Sequence, residues 1–194
     1  GEKTWISGAT DSQLLMVVAR TAAHRTRGLT VFAVPAGAHG VRSSRLQTMA
    51  LNGYPSCEVT LDQVELPADA VVGEVDQGLQ HIMTALNGER INAAAVTNGV
   101  ARGALEAALA RVRTRAAFGK SLGQFQAVQH RLAACAMQTE LAWSAVLEAA
   151  RRDAAGEATD VLSGMAKLAS SKAAVATTDV GMELMAAAGF LEQE

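Results

Sequence analysis

The spacing of apolar residues changes its period once along the chain. Up to about residue 75 they come in short runs of strand length, bounded by turn residues. Trp5-Ile6-Ser7 reads as a short strand. Leu14 to Ala19 is a continuous apolar run, which predicts a strand buried on both faces; Leu29 to Val34 follows and is stopped by Pro35. Val41 to Leu46 and the alternating Ser56 to Leu61 predict two more strands, and Pro67 with Asp69 marks a turn. The basic connection Thr21 to Gly28, with His24, Arg25 and Arg27, reads as a solvated loop.

Beyond Gly73 and Gly78 the pattern becomes helical. Leu79, Met83, Leu86, Ile91, Val96, Val100, Leu105, Leu109 and Val112 recur every three to five residues and predict one long helix to about Arg115. Glu89 and Arg90 lie toward its start and Phe118-Gly119-Lys120 forms the turn after it. A second helix is expected over about Gly123 to Ala155, with Val128, Leu132, Met137, Leu141 and Val146 on its apolar face and Gly156 at its end. A third, capped by Asp160, is expected over Val161 to Ala188, ending at Gly189. Short connections make the three helices antiparallel neighbours. The fold class is therefore α+β: a partial antiparallel β-domain over 1–75, then an up-down helical bundle over 76–194. The strand-like start at Gly1 and the stop at Glu194, just past a helix end, suggest that both ends are cuts inside a larger protein.

Composition narrows the function. With 17 Lys and Arg against 19 Asp and Glu the formal net charge is -2, which offers nucleic acid no basic footprint. No apolar run reaches ~18 residues and no segment reads as a signal peptide, so no membrane span and a cytoplasmic location are expected. Cys57 and Cys135 fit no metal or redox spacing and read as reduced, packed residues. The four histidines have no ligand spacing. No dinucleotide fingerprint, phosphate-binding loop or nucleophile elbow occurs. Polar groups instead gather at helix ends: Glu89 and Arg90, then Arg115, then Gln124, Gln126 and Gln129.

Five segments carry a resemblance. They are the GEKTWIS start, RGLTVFAVP, DQVELPADAVVGE, NGERI and above all RAAFGKSLGQFQAVQHRLA, whose R-x-x-F-G-K followed by F-Q-x-x-Q-H is hard to produce by helix propensity alone. Together they resemble the acyl-CoA dehydrogenase family over essentially the whole chain, which would hold the rear of the middle β-domain and most of the C-terminal helical domain. The resemblance implies an FAD flavoprotein that oxidises an acyl-CoA thioester to the trans-2-enoyl-CoA, a carboxylate taking the α-proton while the β-hydrogen leaves as hydride to flavin N5. It also implies electron-transferring flavoprotein or another electron acceptor as partner, and a homotetramer built as a dimer of dimers.

The same resemblance assigns roles to residues. Trp5 would pack beside the isoalloxazine ring and Ser7 would hydrogen-bond near N5, strand alternation sending both to one side. Arg115, Phe118 and Gln126 match positions that reach the adenosine-diphosphate part of FAD bound mainly by a neighbouring subunit. Glu89 stands where a subset of the family, similar to isovaleryl- and long-chain acyl-CoA dehydrogenases, carries the base; most members keep it in a segment that would lie beyond Glu194. Arg90 would lie near the CoA pantetheine or diphosphate. Each has a plainer reading. Trp5 would be a core or edge residue, Arg115 a helix-dipole partner, Phe118 a staple between helices, Gln126 a solvated first-turn residue and Glu89 a first-turn carboxylate favoured by the helix dipole.

One departure stands out. Where the family has Gln-x-x-Gly-Gly-x-Gly, this chain has Glu183-Leu184-Met185-Ala186-Ala187-Ala188-Gly189. A carboxylate replaces a Gln that helps hold the neighbour's FAD, and two alanines replace glycines that allow close backbone approach. Two alternatives therefore stay open beside the dehydrogenase: an acyl-CoA oxidase, nitroalkane oxidase or flavin monooxygenase relative, and a non-catalytic assembly subunit of the same fold.

Overall fold

The computed structural model describes residues 1–24, 27–50 and 53–191. Arg25 and the terminal Glu192-Gln193-Glu194 lie outside them. The chain forms two compact units, 1–83 and 84–194.

The first unit is antiparallel β structure. Strands β1 (Glu2–Ser7), β5 (Ser56–Leu61) and β4 (Val41–Arg45) form one sheet in the order β1-β5-β4. Strands β2 (Leu14–Arg20), β3 (Leu29–Pro35) and the short β6 (Val71–Val72) form a second in the order β2-β3-β6. The inner faces meet in a core of Ala9, Leu15, Val34, Cys57 and Val59, closed by Ile6, Val17, Phe32, Val41 and Leu61. Burying such side chains contributes roughly 1.5–3 kcal/mol each for the larger aliphatics. The apolar run on β2 is not buried on both faces as its composition suggests: Leu15 is buried, but Leu14 and Met16 are exposed. β2 lies at the edge of its sheet and packs one face on the core.

A bulge interrupts β1. Lys3 pairs with Val59 and Ile6 with Cys57, so three steps along β1 match two along β5. The extra residue is accommodated at Trp5, whose φ of 61° is left-handed. Simple alternation therefore does not set the directions of Trp5 and Ser7. The bulge does, and it turns Ile6 toward the core with Cys57 and Val59.

Helix α1 spans Gly78–Thr114, 37 residues or about 55 Å at ~1.5 Å per residue. Its start at Gly78 puts Glu89 eleven residues in, so the first-turn reading of Glu89 does not hold, and no acidic residue lies in the first turn. After the two-stranded hairpin β7 (Ala116–Ala117) and β8 (Lys120–Ser121), a 3-10 turn at Leu122–Gln124 leads into α2 (Gln126–Ala154). α2 thus begins three residues later than its apolar spacing predicts. Gly156, at φ 72°, lets the chain leave it. Helix α3 runs Asp160–Met185, followed by a 3-10 segment Ala186–Phe190. Asp160 is its first residue rather than its cap, with Thr159 in the capping position. The helix also stops short of Ala188, because Ala186 at φ 52° and ψ -134° breaks the spiral.

The helices meet along a seam of small residues. On α1 Ile91, Ala94, Asn98, Ala101, Ala108 and Val112 are buried; on α2 Leu132, Cys135, Thr139, Ala142, Val146 and Ala149; on α3 Ser163, Ala166, Ser170, Ala173 and Thr177. Apart from the seven-residue step from Ala101 to Ala108, these residues are spaced by three and four, as in knobs-into-holes packing. Ile91 and Ala94 share a cluster with Val146, Ala149 and Ala166, while Ala108 and Val112 share one with Leu132 and Leu184. α2 is therefore antiparallel to both α1 and α3. Six residues expected on the core faces, Met83, Leu86, Val96, Val100, Met137 and Leu141, are instead exposed. Alanine and hydroxyl residues take the seam because they let the helices approach closely, and the larger apolar residues are displaced outward. Cys57 and Cys135 are free thiols, both buried.

Candidate functional site

The β-unit offers Trp5 and Ser7. Trp5, at the bulge, is 68% exposed despite its large ring. Ser7 is exposed at the end of β1, and its side chain lines a groove with Lys3, Ser12, Leu14 and Met16. The Ser7 hydroxyl and the apolar groove walls suit a ligand with a polar edge, and two residues away in sequence Trp5 leaves an indole exposed to water. Of the plainer reading of Trp5 as a core or edge residue, the core half does not hold; Trp5 is an exposed residue of an edge strand.

The second group lies where α1 hands over to α2. The Arg115 N–H donates to the Arg111 carbonyl at 2.9 Å, closing α1, and the Leu122 N–H donates back to the Arg115 carbonyl at 2.9 Å. The Arg115 guanidinium is left exposed. Between these bonds the hairpin turns through Phe118 at φ 54° and Gly119 at φ 81°. Phe118 is 95% exposed, its ring set edge-to-face with that of Phe125 at a centroid distance of 6.4 Å, so it does not staple the helices together. Lys120 also sits over Phe125, its Nζ 4.2 Å from the ring centre. Gln124 Oε1 accepts from the Ser121 N–H at 3.1 Å and Gln129 Nε2 donates to the Gly123 carbonyl at 2.9 Å. Those two glutamines brace the turn; Gln126 stays exposed at the first residue of α2. The structure thus brings Arg115, Phe118 and Gln126 to one end of the helical unit, as a cation, an aromatic face and an amide turned to solvent.

Glu89 and Arg90 lie on α1 far from that hairpin, since α1 needs over twenty residues to reach Arg115. Glu89 is exposed and Arg90 half-buried. Arg90 is anchored: its Nη1 donates to Asn87 Oδ1 at 2.8 Å. Asn87 is buried, and its Nδ2 donates to Asp160 Oδ1 at 3.0 Å. The Ser163 hydroxyl lies 3.3 Å from the same Asn87 Oδ1. Sequence reading passes over Asn87, Asp160 and Ser163 as members of this group. A buried Asn on the seam one turn before Arg90 is the available signal, but its partner is 73 residues away.

Glu183 is paired with Arg131, linking α3 to α2. The hydrogen bond from Arg131 holds the Glu183 carboxyl below the usual carboxylate range, and Arg131 is raised in turn. The negative charge expected to repel a diphosphate already has a cation beside it, on a residue the sequence does not single out. Among the described residues no group of three His, Cys, Asp or Glu could hold a metal ion, and no helix is long and apolar enough to cross a membrane.

Comparison with known proteins bears on this geometry. Residues 76–194 match the family model for the acyl-CoA dehydrogenase C-terminal domain and residues 1–64 that for the middle domain. The chain belongs to the acyl-CoA dehydrogenase family. It is 32% identical to a glutaryl-CoA dehydrogenase of Desulfococcus multivorans over 98% of this chain and 50% of that protein. It is likewise 32% identical to the short/branched chain specific acyl-CoA dehydrogenase of Rattus norvegicus mitochondria, over 98% of this chain and 44% of that one. The butyryl-CoA dehydrogenase of Megasphaera elsdenii superposes with a TM-score of 0.96 at 28% identity, covering all of this chain (100%) and 51% of that one. The chain spans about half the length of these relatives. The antiparallel sheets followed by three long helices are the fold of this family's members.

Proposed function

We propose that this chain is part of an FAD-dependent acyl-CoA dehydrogenase that converts an acyl-CoA thioester to the trans-2-enoyl-CoA. One observation carries the reading: on α1 an exposed carboxylate, Glu89, stands next to a guanidinium, Arg90, held in place by a buried amide. Proton abstraction beside a thioester needs a base that reaches the substrate and a fixed polar group that orients it. Glu89 takes the α-proton on its carboxylate. Arg90 binds the CoA portion near the reacting end.

The residues present fit FAD. Trp5 and Ser7 present an exposed ring and a hydroxyl for the isoalloxazine, and Arg115, Phe118 and Gln126 present a cation, an aromatic face and an amide for the adenosine-diphosphate portion. When bound, FAD supplies the acceptor for the β-hydrogen. The adenosine-diphosphate contacts serve a neighbouring subunit's FAD, in a homotetramer arranged as a dimer of dimers. The exposed Val96, Val100, Met137 and Leu141 supply apolar helix surface of the kind such contacts use. Electrons pass on to electron-transferring flavoprotein or a similar acceptor, in the cytoplasm. The Glu183–Arg131 pair removes the main argument for a subunit that has lost FAD, since the carboxylate is compensated within the chain.

The test is Glu89→Gln in the complete protein. Turnover is expected to fall by roughly 10²–10⁴-fold, the span of general-base contributions, with flavin still bound. Near-normal turnover would move the base to another residue.

A further inference from the structure

The hydrogen bonds around Asn87 have a fixed polarity. A guanidinium can only donate and an ionised carboxylate can only accept, so the side chain between Arg90 and Asp160 must accept on one side and donate on the other. Asn87 does both: Oδ1 receives Arg90 Nη1 at 2.8 Å while Nδ2 donates to Asp160 Oδ1 at 3.0 Å. The amide is buried and meets the Ser163 hydroxyl at 3.3 Å as well, so it is held from α1 and α3 together. Asp160, as the first residue of α3, lies beyond the loop that closes the α2–α3 turn.

We infer that Asn87 and Asp160 are positioning residues for Arg90: Asp160 orients the Asn87 amide, and the amide aims the guanidinium that sits beside Glu89. This rests on the reading of Arg90 as a group that binds the acyl-CoA. It extends that reading from α1 to α3 and explains why a carboxylate in place of Asn87 would be wrong here: it would set two carboxylates about 3 Å apart and lose the donor that Asp160 needs. Exchanging the two residues, Asn87→Asp together with Asp160→Asn, would restore the polarity: the carboxylate on α1 would accept from Arg90 and from the amide on α3.

The experiment uses the complete protein with FAD bound. Affinity is measured by titration calorimetry for whichever of butyryl-, octanoyl-, palmitoyl- and glutaryl-CoA binds the wild type most tightly, with a thermal melt of each variant. Arg90→Gln is expected to weaken binding about tenfold, the order of one charge-assisted hydrogen bond. Asn87→Leu is expected to weaken it by a similar factor alone and by nothing further in the Arg90→Gln background. Asn87→Asp is expected to weaken binding, and Asn87→Asp with Asp160→Asn to return it to within about twofold of wild type. Full additivity of Asn87→Leu with Arg90→Gln, or failure of the exchanged pair to recover affinity in a protein that melts normally, would overturn the positioning role while leaving Arg90 a ligand contact. An unchanged affinity in Arg90→Gln, or no binding of any of the four by the wild type, would overturn the reading of Arg90 and this inference with it.

Discussion

Ala186 holds a backbone conformation, φ 52° and ψ -134°, that a Cβ makes costly. Strain of this kind is worth about 1–3 kcal/mol, and glycine relieves it at the cost of about 0.5–1 kcal/mol of unfolded-chain entropy. Ala186→Gly is therefore expected to raise stability by about 1 kcal/mol in chemical denaturation; a loss would show that the alanine sits there without strain. Trp5 and Phe118 share the left-handed region, at φ 61° and 54°, and both are exposed. The backbone thus presents two aromatic rings at positions where packing alone would not hold them. Glu148 illustrates a different residue-level effect. Hydrogen bonds from Arg151 and then Arg152 pull its carboxyl from 4.5 down to about 2. A depressed folded-state value means that the stabilisation is complete above pH 4.5 and is lost as pH falls through about 2. Melting temperatures of wild type and Glu148→Gln are expected to differ above pH 4.5 and to converge below about 2. A constant difference across that window would show that the ion pairs contribute nothing.

At the level of elements, the helices pack through alanine, serine and threonine. Ala101 is fully buried on α1. Ala101→Leu is expected to cost about 1–3 kcal/mol by overpacking, read from the denaturant midpoint; an unchanged midpoint would mean that the seam is loose. This seam also explains what can be read in advance. Strand and helix positions follow from local period and turn residues, which is why β3, β5 and the end of α2 at Gly156 fall where the sequence predicts. The core face of α1 does not follow, because periodicity weighs large apolar residues and the seam uses small ones. Val96 and Val100 mislead for that reason, and Asn98 goes unmarked although it is buried and its Nδ2 donates to the Thr139 carbonyl at 2.9 Å. The candidate site divides in the same way. Arg115, Phe118 and Gln126 form a contiguous motif and are legible. Asn87, Asp160 and Arg131 are not, since each acts through a partner on another helix. The bulge at Trp5 is hidden too, because an extra residue in β1 becomes visible only in its pairing with β5.

For the whole molecule, the candidate residues fall into three places: Trp5 and Ser7 in the β-unit, Glu89 and Arg90 along α1, and Arg115, Phe118 and Gln126 at the hairpin beyond it. In the proposed enzyme the first serve the flavin, the second the acyl-CoA and the third a neighbour's cofactor, so flavin binding and assembly depend on each other. The central claim is that an acyl-CoA is oxidised at a flavin with Glu89 as base. It is tested most directly by adding butyryl-, octanoyl-, palmitoyl- and glutaryl-CoA to the complete protein without oxygen and recording the flavin absorbance. At least one of them is expected to bleach the flavin in the wild type, and the same one to leave it oxidised over the same time in Glu89→Gln. A protein that cannot take up FAD, a flavin that none of them bleaches, or equal bleaching in Glu89→Gln would contradict it.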